Sequence, residues 1–255
     1  MARFSNPQKL AVVPAYNEAE SVGTVVRKLQ AYAPEYDILV VDDGSTDATP
    51  AIAEEAGARV LRLPFNLGIG GAVQSGFRYA LDNGYDYAVQ VDGDGQHDPS
   101  EIRRLEAAMR REQVDMVCGS RFLSSDHKYP APISRRTGIH LFAFLLSRFV
   151  GQRVSDPTSG FRLYNRRGIG VFARDYPHDY PEVEAVLMVH WHRLRMCEEP
   201  VRMLMRNGGV SSINGSGKSA YYMIKVLLAI SMGLARRRRS VEPGDEAPVA
   251  AAHGI

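Results

Sequence analysis

Between residue 10 and about residue 120 the chain alternates short apolar runs with longer amphipathic segments. That is the pattern of buried strands joined by crossover helices in a mostly parallel sheet. Four runs, Leu10–Val13, Ile38–Val41, Ala88–Val91 and Val114–Val117, are β-branched enough to be buried strands, and Arg59–Leu63 is a weaker fifth. Segments near 18–31, 47–56, 70–82 and 99–112 carry helical spacing, the last opening on Asp98-Pro99-Ser100. The first half therefore predicts β-α-β-α-β-α-β-α-β in one α/β unit.

After Gly119 the alternation stops. A loop with Pro130 and Pro132 leads into an apolar helix from about Arg136 to Val150, and a Gly/Pro-rich stretch runs through Gly160. A helix near 182–194, extended segments near 160–164 and 196–206, a Gly/Ser-rich link from Asn207 to Lys218 and a helix from Ser219 to Ala235 complete the expectation. The domain reading is a flexible N-terminus over 1–8, one folded domain over 9–215, an amphipathic basic helix over 216–239 and a disordered tail over 240–255. No internal repeat is visible.

Composition changes this picture little. With 255 residues, 45% hydrophobic and 24% charged, the chain is an ordinary globular protein. A net charge of +2 argues against nucleic acid, and the positive charge that matters is local, at Arg236, Arg237, Arg238 and Arg239. The two cysteines, Cys118 and Cys197, lack metal-ligand spacing and read as thiols of a reducing compartment. Residues 1–9 lack the apolar stretch of a signal peptide, and no apolar run reaches membrane-spanning length, so the expected location is inside the cell.

Three polar clusters follow predicted strands: Pro14-Ala15-Tyr16-Asn17-Glu18, Asp42-Asp43-Gly44-Ser45-Thr46-Asp47 and Asp92-Gly93-Asp94-Gly95-Gln96-His97-Asp98-Pro99. Ligands of open parallel sheets bind beyond the carboxyl ends of the strands, so the three should converge on one crevice. Asp92 and Asp94 are two apart, and an extended backbone would point both carboxylates to one side. Such a pair suits a divalent cation, Mg²⁺ or Mn²⁺, shared with substrate phosphates, and Gln96 could add an amide oxygen. The competing reading is an acidic turn with Asp98 as a helix cap.

At the second cluster, Asp43 could accept a base N–H, with Gly44 turning the backbone beneath it; the cluster also reads as a capped turn into the next helix. Tyr16 could line the base pocket, and Glu18 could be only an acid favoured by a helix N-terminus. Two decoys fail. In Asn66-Leu67-Gly68-Ile69-Gly70-Gly71 the third glycine of a dinucleotide fingerprint is Val73, and Gly215-Ser216-Gly217-Lys218-Ser219 has Ser212 where a P-loop needs glycine. The first reads as a helix-opening loop near the nucleotide.

These clusters, together with Gly119-Ser120-Arg121-Phe122 and Asp156-Pro157-Thr158-Ser159-Gly160-Phe161-Arg162, resemble glycosyltransferase family 2. The resemblance spans about residues 9 to 230. It is closest to the branch that holds dolichyl-phosphate mannosyltransferase and bacterial polyprenyl-phosphate glycosyltransferases. It implies a GT-A fold, a single Rossmann-like sheet flanked by helices, and an inverting transfer of one sugar from a UDP- or GDP-sugar.

By position, Pro14, Tyr16, Glu18, Asp43, Asp92 and Gly93 would hold the nucleotide-sugar, and Asp92, Asp94 and Gln96 the metal. Arg121, Arg135 and Arg206 would grip the phosphate of a polyprenyl phosphate acceptor, with Arg121 and Asp94 counted as catalytic. Arginine forks suit phosphate because they bind it at two points and stay charged. If the acceptor is instead a sugar hydroxyl, Asp156 is the candidate general base, with Glu182 and Glu184 behind it. A catalytically silent nucleotide-sugar-binding subunit is the alternative outside enzymes.

The QxxRW motif of processive synthases is absent, which favours transfer of a single sugar. Many relatives carry C-terminal transmembrane helices. Here Tyr221–Ile230 leads instead into the four arginines, and Lys225 interrupts it. Such a helix is expected to lie on the inner face of the cell membrane, held by apolar burial and by arginines against anionic lipid. A core or homo-oligomer contact is the competing reading. A small integral membrane protein is an expected partner.

Overall fold

The computed structural model describes residues 7–123, 143–177 and 181–204. The predicted basic helix, the tail, Arg135 and Arg206 lie outside the described residues.

The elements in chain order are β1 (Lys9–Ala15), α1 (Val22–Tyr32), β2 (Asp37–Asp42), α2 (Thr49–Glu55), β3 (Arg59–Arg62), α3 (Gly68–Asp82) and β4 (Tyr87–Gln90). A 3₁₀ turn at Pro99–Glu101 then leads into α4 (Ile102–Glu112) and β5 (Met116–Ser120). A helix α5, described over 143–150, is followed by β6 (Arg162–Asn165), α6 (Arg166–Arg174), α7 (Pro181–Trp191) and β7 (Met196–Pro200).

The seven strands form one sheet in the order β3-β2-β1-β4-β6-β5-β7. The pairs β1–β2, β1–β4, β2–β3 and β5–β7 are parallel. The sheet is mostly parallel, as expected, and β6 alone runs antiparallel to its neighbours, β4 and β5. The reason is topological: β6 is reached by the return of the chain through α5 from the end of β5, not by a crossover helix.

Strand residues alternate between two cores, as a period of two requires. Leu10 and Val12 of β1 face one side, with Leu39, Val41, Phe77, Met116, Tyr164 and Phe172. Ala11 and Val13 face the other, with Val26, Leu29, Val40, Ile102, Leu105 and Leu163. The first core is covered by α3, α6 and α7, the second by α1, α2 and α4. α3 lies close on β1: a Cβ at Gly76 would overlap Val12 Cγ1.

α6 was not predicted, since Gly168 and Gly170 weaken its helical propensity. It forms because the Asn165 side chain accepts the Gly168 N–H at 2.9 Å as an N-cap, and because Ile169, Phe172 and Ala173 are buried on one face.

Candidate active site

β1 pairs with β2 on one side and β4 on the other, so the strand order reverses at β1. A crevice opens at such a switch point, beyond the carboxyl ends of the strands. All three polar clusters end there and are tied together. The Ala15 carbonyl accepts the Asp43 N–H at 2.9 Å, and the buried Pro14 carbonyl accepts the Gly93 N–H at 3.2 Å. Asn17, at φ 54°, accepts the Thr46 N–H at 2.9 Å through Oδ1, while its own N–H donates to Ser45 Oγ at 2.9 Å. The Glu18 N–H donates to Thr49 Oγ1 at 2.8 Å, and Ser21 Oγ donates to the Glu18 carboxylate at 2.9 Å at the start of α1. Tyr16 is exposed above this seam.

Asp43 is buried, and its Oδ1 accepts the Leu67 N–H at 2.7 Å where α3 begins. Burial pushes its carboxyl above the usual range against that hydrogen bond. The residue therefore caps α3, not the helix that follows it directly in the chain. Asn66 and Leu67 form the loop that opens α3, whose first turn starts at Gly68, and Gly44 at φ 75° lets Asn66 cross over it.

The acidic cluster departs from its predicted geometry. β4 ends at Gln90, and Asp92 to Gly95 form a turn in which the Asp92 carbonyl accepts the Gly95 N–H at 3.4 Å. Gly95 at φ 78° favours that turn, so it is turn geometry and not strand alternation that sets the two carboxylates. Asp92 Oδ1 accepts from Gln90 Nε2 at 3.0 Å, and Asp94 Oδ1 accepts the Gln96 N–H at 3.0 Å. The predicted Asp98 cap is present, its Oδ1 accepting the Ser100 N–H at 3.1 Å and its Oδ2 pairing with Arg202 at 2.9 Å.

His97 holds the turn from beneath. Its ring stacks on Phe161 at 4.9 Å, and Nδ1 accepts the Asp92 N–H at 3.0 Å. An accepting Nδ1 fixes the proton on Nε2, 3.6 Å from Asp92 Oδ2. Burial pushes the imidazole down to about 4, so it stays neutral. Gly160 seals the other side, where a Cβ would stand 3.2 Å from Asp92 Oδ2 and 3.1 Å from Gln90 Nε2. Neither contact was assigned from the sequence. The only signal was a histidine next to an acidic pair.

Beyond the turn, at the end of β5, Arg121 meets Asp156. Nε donates to Oδ2 and Nη2 to Oδ1, both at 2.7 Å, and the Arg121 N–H also donates to Oδ2 at 3.0 Å. Nη2 reaches Thr158 Oγ1 at 2.6 Å as well. Asp156 is 0% exposed. A carboxylate sealed from solvent, with both oxygens on a guanidinium, is placed to orient that guanidinium.

The buried Arg162 joins the loop to α7, donating from Nη2 to the Glu182 carbonyl at 2.5 Å and the Pro157 carbonyl at 3.4 Å. Burial raises the Glu182 carboxyl, which feels the charges of both Asp92 and Arg121. His97 likewise lies in the fields of Asp94, Arg121 and Asp156. β4 and β5 both run antiparallel to β6, so the strand ends that carry the acidic turn and Arg121 lie at the same edge of the sheet.

Among the described residues no three His, Cys, Asp or Glu side chains form a ready-made metal cage. His97 is a poor ligand because Nδ1 is already accepting. Asp92 and Asp94 supply hard carboxylate oxygens on one turn, a donor set that fits Mg²⁺ or Mn²⁺ when phosphate and water oxygens complete the shell. Gln96 is tied to the site through its main chain, the N–H on Asp94 and the carbonyl accepting from Leu204 at 2.8 Å.

A switch-point crevice with an acidic turn on a seven-stranded mixed sheet defines the class as a GT-A glycosyltransferase. Glucosyl-3-phosphoglycerate synthase from Mycobacterium tuberculosis, solved with Mn²⁺, uridine diphosphate and glucosyl-3-phosphoglycerate, shares the fold at TM-score 0.67 and 19% identity. The match covers 90% of this chain and 81% of that one. The chain belongs to glycosyltransferase family 2 and is a glycosyltransferase: the family profile, Glycosyl transferase family 2, matches residues 10–171.

Among curated relatives, the undecaprenyl-phosphate mannosyltransferase of Micrococcus luteus is 32% identical over 214 residues, 81% of this chain and 87% of that protein. The polyprenol monophosphomannose synthase of Mycolicibacterium smegmatis is 32% identical over 217 residues, 81% of each chain. The UDP-N-acetylglucosamine–dolichyl-phosphate N-acetylglucosaminyltransferase of Methanococcus voltae is 28% identical over 213 residues, 76% of this chain and 84% of that protein. Among the described residues no helix is long and apolar enough to cross a membrane.

Proposed function

We propose that the protein transfers a single sugar, with inversion, from a UDP- or GDP-sugar to a polyprenyl phosphate at the inner face of the cell membrane. The observation that carries this reading is the clamped arginine. Arg121 is held by a buried Asp156 at the same edge of the sheet as the acidic turn, a rigid cationic group suited to an anionic acceptor beside the donor. The acceptor named in the M. luteus and M. smegmatis relatives supports the same chemistry.

In this reading Pro14, Tyr16, Glu18 and Asp43 border the nucleoside, and Gly93 lets the acidic turn sit close against β1. Asp92 and Asp94, with Gln96, hold a divalent cation, which when bound neutralises charge on the departing diphosphate. Arg121, joined by Arg135 and Arg206, orients the acceptor phosphate. One phosphate oxygen forms the bond to the anomeric carbon as the bond from that carbon to the nucleoside diphosphate breaks on the opposite face. The attacking oxygen is already anionic near neutral pH, so positioning replaces a general base, in keeping with the sealed Asp156.

The test is radiolabel transfer from a panel of UDP- and GDP-sugars to undecaprenyl phosphate in detergent with Mg²⁺ or Mn²⁺, with Asp94→Asn alongside. Lipid-phase label from one donor, lost in the variant, is the expected result. Label that enters a glycan hydroxyl but never the lipid phase overturns the acceptor assignment.

A further inference from the structure

Glu198 lies on β7, outside the crevice and outside every motif that marks the family. Its carboxylate is turned toward the loop that carries Asp156. Oε1 and Oε2 accept the Ser155 N–H at 3.0 and 2.8 Å, and Oε1 also accepts the Asp156 N–H at 2.9 Å. β7 pairs with β5 in the register Cys118↔Glu198 and Ser120↔Pro200, which sets Glu198 just behind the strand end from which Arg121 projects. A second tie comes from β5 itself, where Ser120 Oγ and Ser155 Oγ lie 2.7 Å apart. Residues 155 and 156 are therefore fastened between two adjacent strands.

We propose that Glu198 is a positioning residue for the acceptor-side arginine: it fixes the main chain at Ser155 and Asp156, Asp156 fixes the guanidinium of Arg121, and Arg121 meets the acceptor phosphate. The inference rests on the reading of Arg121 given above.

The residue type follows from the donors it faces. The segment before Asp156 has no regular structure to pair its buried N–H groups, so a side chain must accept them. An ionised carboxylate is acceptor-only on both oxygens. Each oxygen of Glu198 meets an N–H, so an amide at this position would turn its NH₂ onto a donor whichever way it flipped. The carboxylate is held in spite of its surroundings, since burial raises it and the two N–H groups only partly offset that. A side chain needed for packing alone would not require this charge. A loop shift of about 1 Å would carry Asp156 and the arginine fork with it, and displacements of that size are costly to a positioned reaction.

The experiment compares Glu198→Gln, Glu198→Asp, Arg121→Ala and the Arg121→Ala/Glu198→Gln double variant. The readouts are undecaprenyl phosphate binding, KM for each substrate, kcat and melting temperature. Glu198→Gln is expected to weaken acceptor binding and raise acceptor KM about tenfold, with donor KM held, and Glu198→Asp to fall between it and wild type. In the double variant the Glu198 effect on acceptor binding should vanish, because its route through Arg121 is gone. An undiminished Glu198 effect on top of Arg121→Ala, or equal damage to donor and acceptor KM, overturns the proposal. Should Glu198→Gln fail to fold, Glu198→Asp, which keeps both acceptor oxygens, decides by the same cycle. If Arg121→Ala leaves acceptor binding unchanged, it is the reading of Arg121 that fails, whatever Glu198 does.

Discussion

The guanidinium of Arg121 and the carboxylate of Asp156 meet edge to edge, two parallel contacts of 2.7 Å between a nearly buried cation and a sealed anion. Asparagine at 156 would offer one oxygen and one amide group to a partner that only donates. Asp156→Asn is expected to raise acceptor KM and to cost about 3 kcal/mol of stability, the scale for breaking a buried pair. Acceptor titrations and thermal melts check both. A variant that lost kcat at unchanged acceptor KM would instead identify Asp156 as a base.

Asp94→Asn removes one of two carboxylates from the acidic turn while keeping an oxygen for the Gln96 N–H. Transfer is expected to fall by about a hundredfold or more. Mn²⁺ binding in the presence of nucleoside diphosphate, followed by electron paramagnetic resonance, should weaken in parallel. Unchanged Mn²⁺ affinity would remove Asp94 from the metal assignment.

Gly160→Ala introduces a methyl 3.1 Å from Gln90 Nε2 and 3.2 Å from Asp92 Oδ2. Both neighbours are side-chain ends that can yield, so the stability cost should be small, about 1 kcal/mol. The cost to catalysis should exceed it, because the atom that yields belongs to the acidic turn. Melting temperature and kcat measured on one preparation separate the two.

Glu106 sets an acid limit on stability. Burial works to raise its carboxyl, but hydrogen bonds from Lys9 at 2.7 Å, Tyr36 at 2.7 Å and Arg110 at 3.1 Å outweigh burial and hold it below its ordinary value of 4.5. A carboxyl lowered by folding stabilises the protein fully above its unfolded value. That contribution is lost as pH falls through the folded value. The melting temperature of the wild type should therefore drop below about pH 4.5 more steeply than that of Glu106→Gln. Parallel curves would remove Glu106 from the acid response.

Much of this architecture is legible in the chain because its first half is locally consistent. Val12, Val40 and Val89 announce strands, and the polar residues that follow each strand announce the crevice. The legible part ends where contacts join distant segments. Nothing near Asp156 marks it as the partner of Arg121, thirty-five positions earlier, and nothing near Glu198 connects it to the main chain at Ser155. Strand alternation does not give the Asp92/Asp94 geometry because β4 ends at Gln90 and turn preferences prevail over Gly93 to Gly95. Arg135, Arg206 and the basic helix lie outside the described residues.

The antiparallel course of β6 gives the site a ruler. The three polar clusters hang from strands that run toward the crevice, whereas Gly160 and the Asp156 loop arrive on the chain entering a strand that runs away from it. The distance of Gly160 from the acidic turn is thus fixed by the pairing Val89↔Leu163. A slip of two residues would keep every buried face buried yet carry Gly160 about 7 Å along β4. The offset of β6 on β4 is therefore held by the crevice as well as by the core.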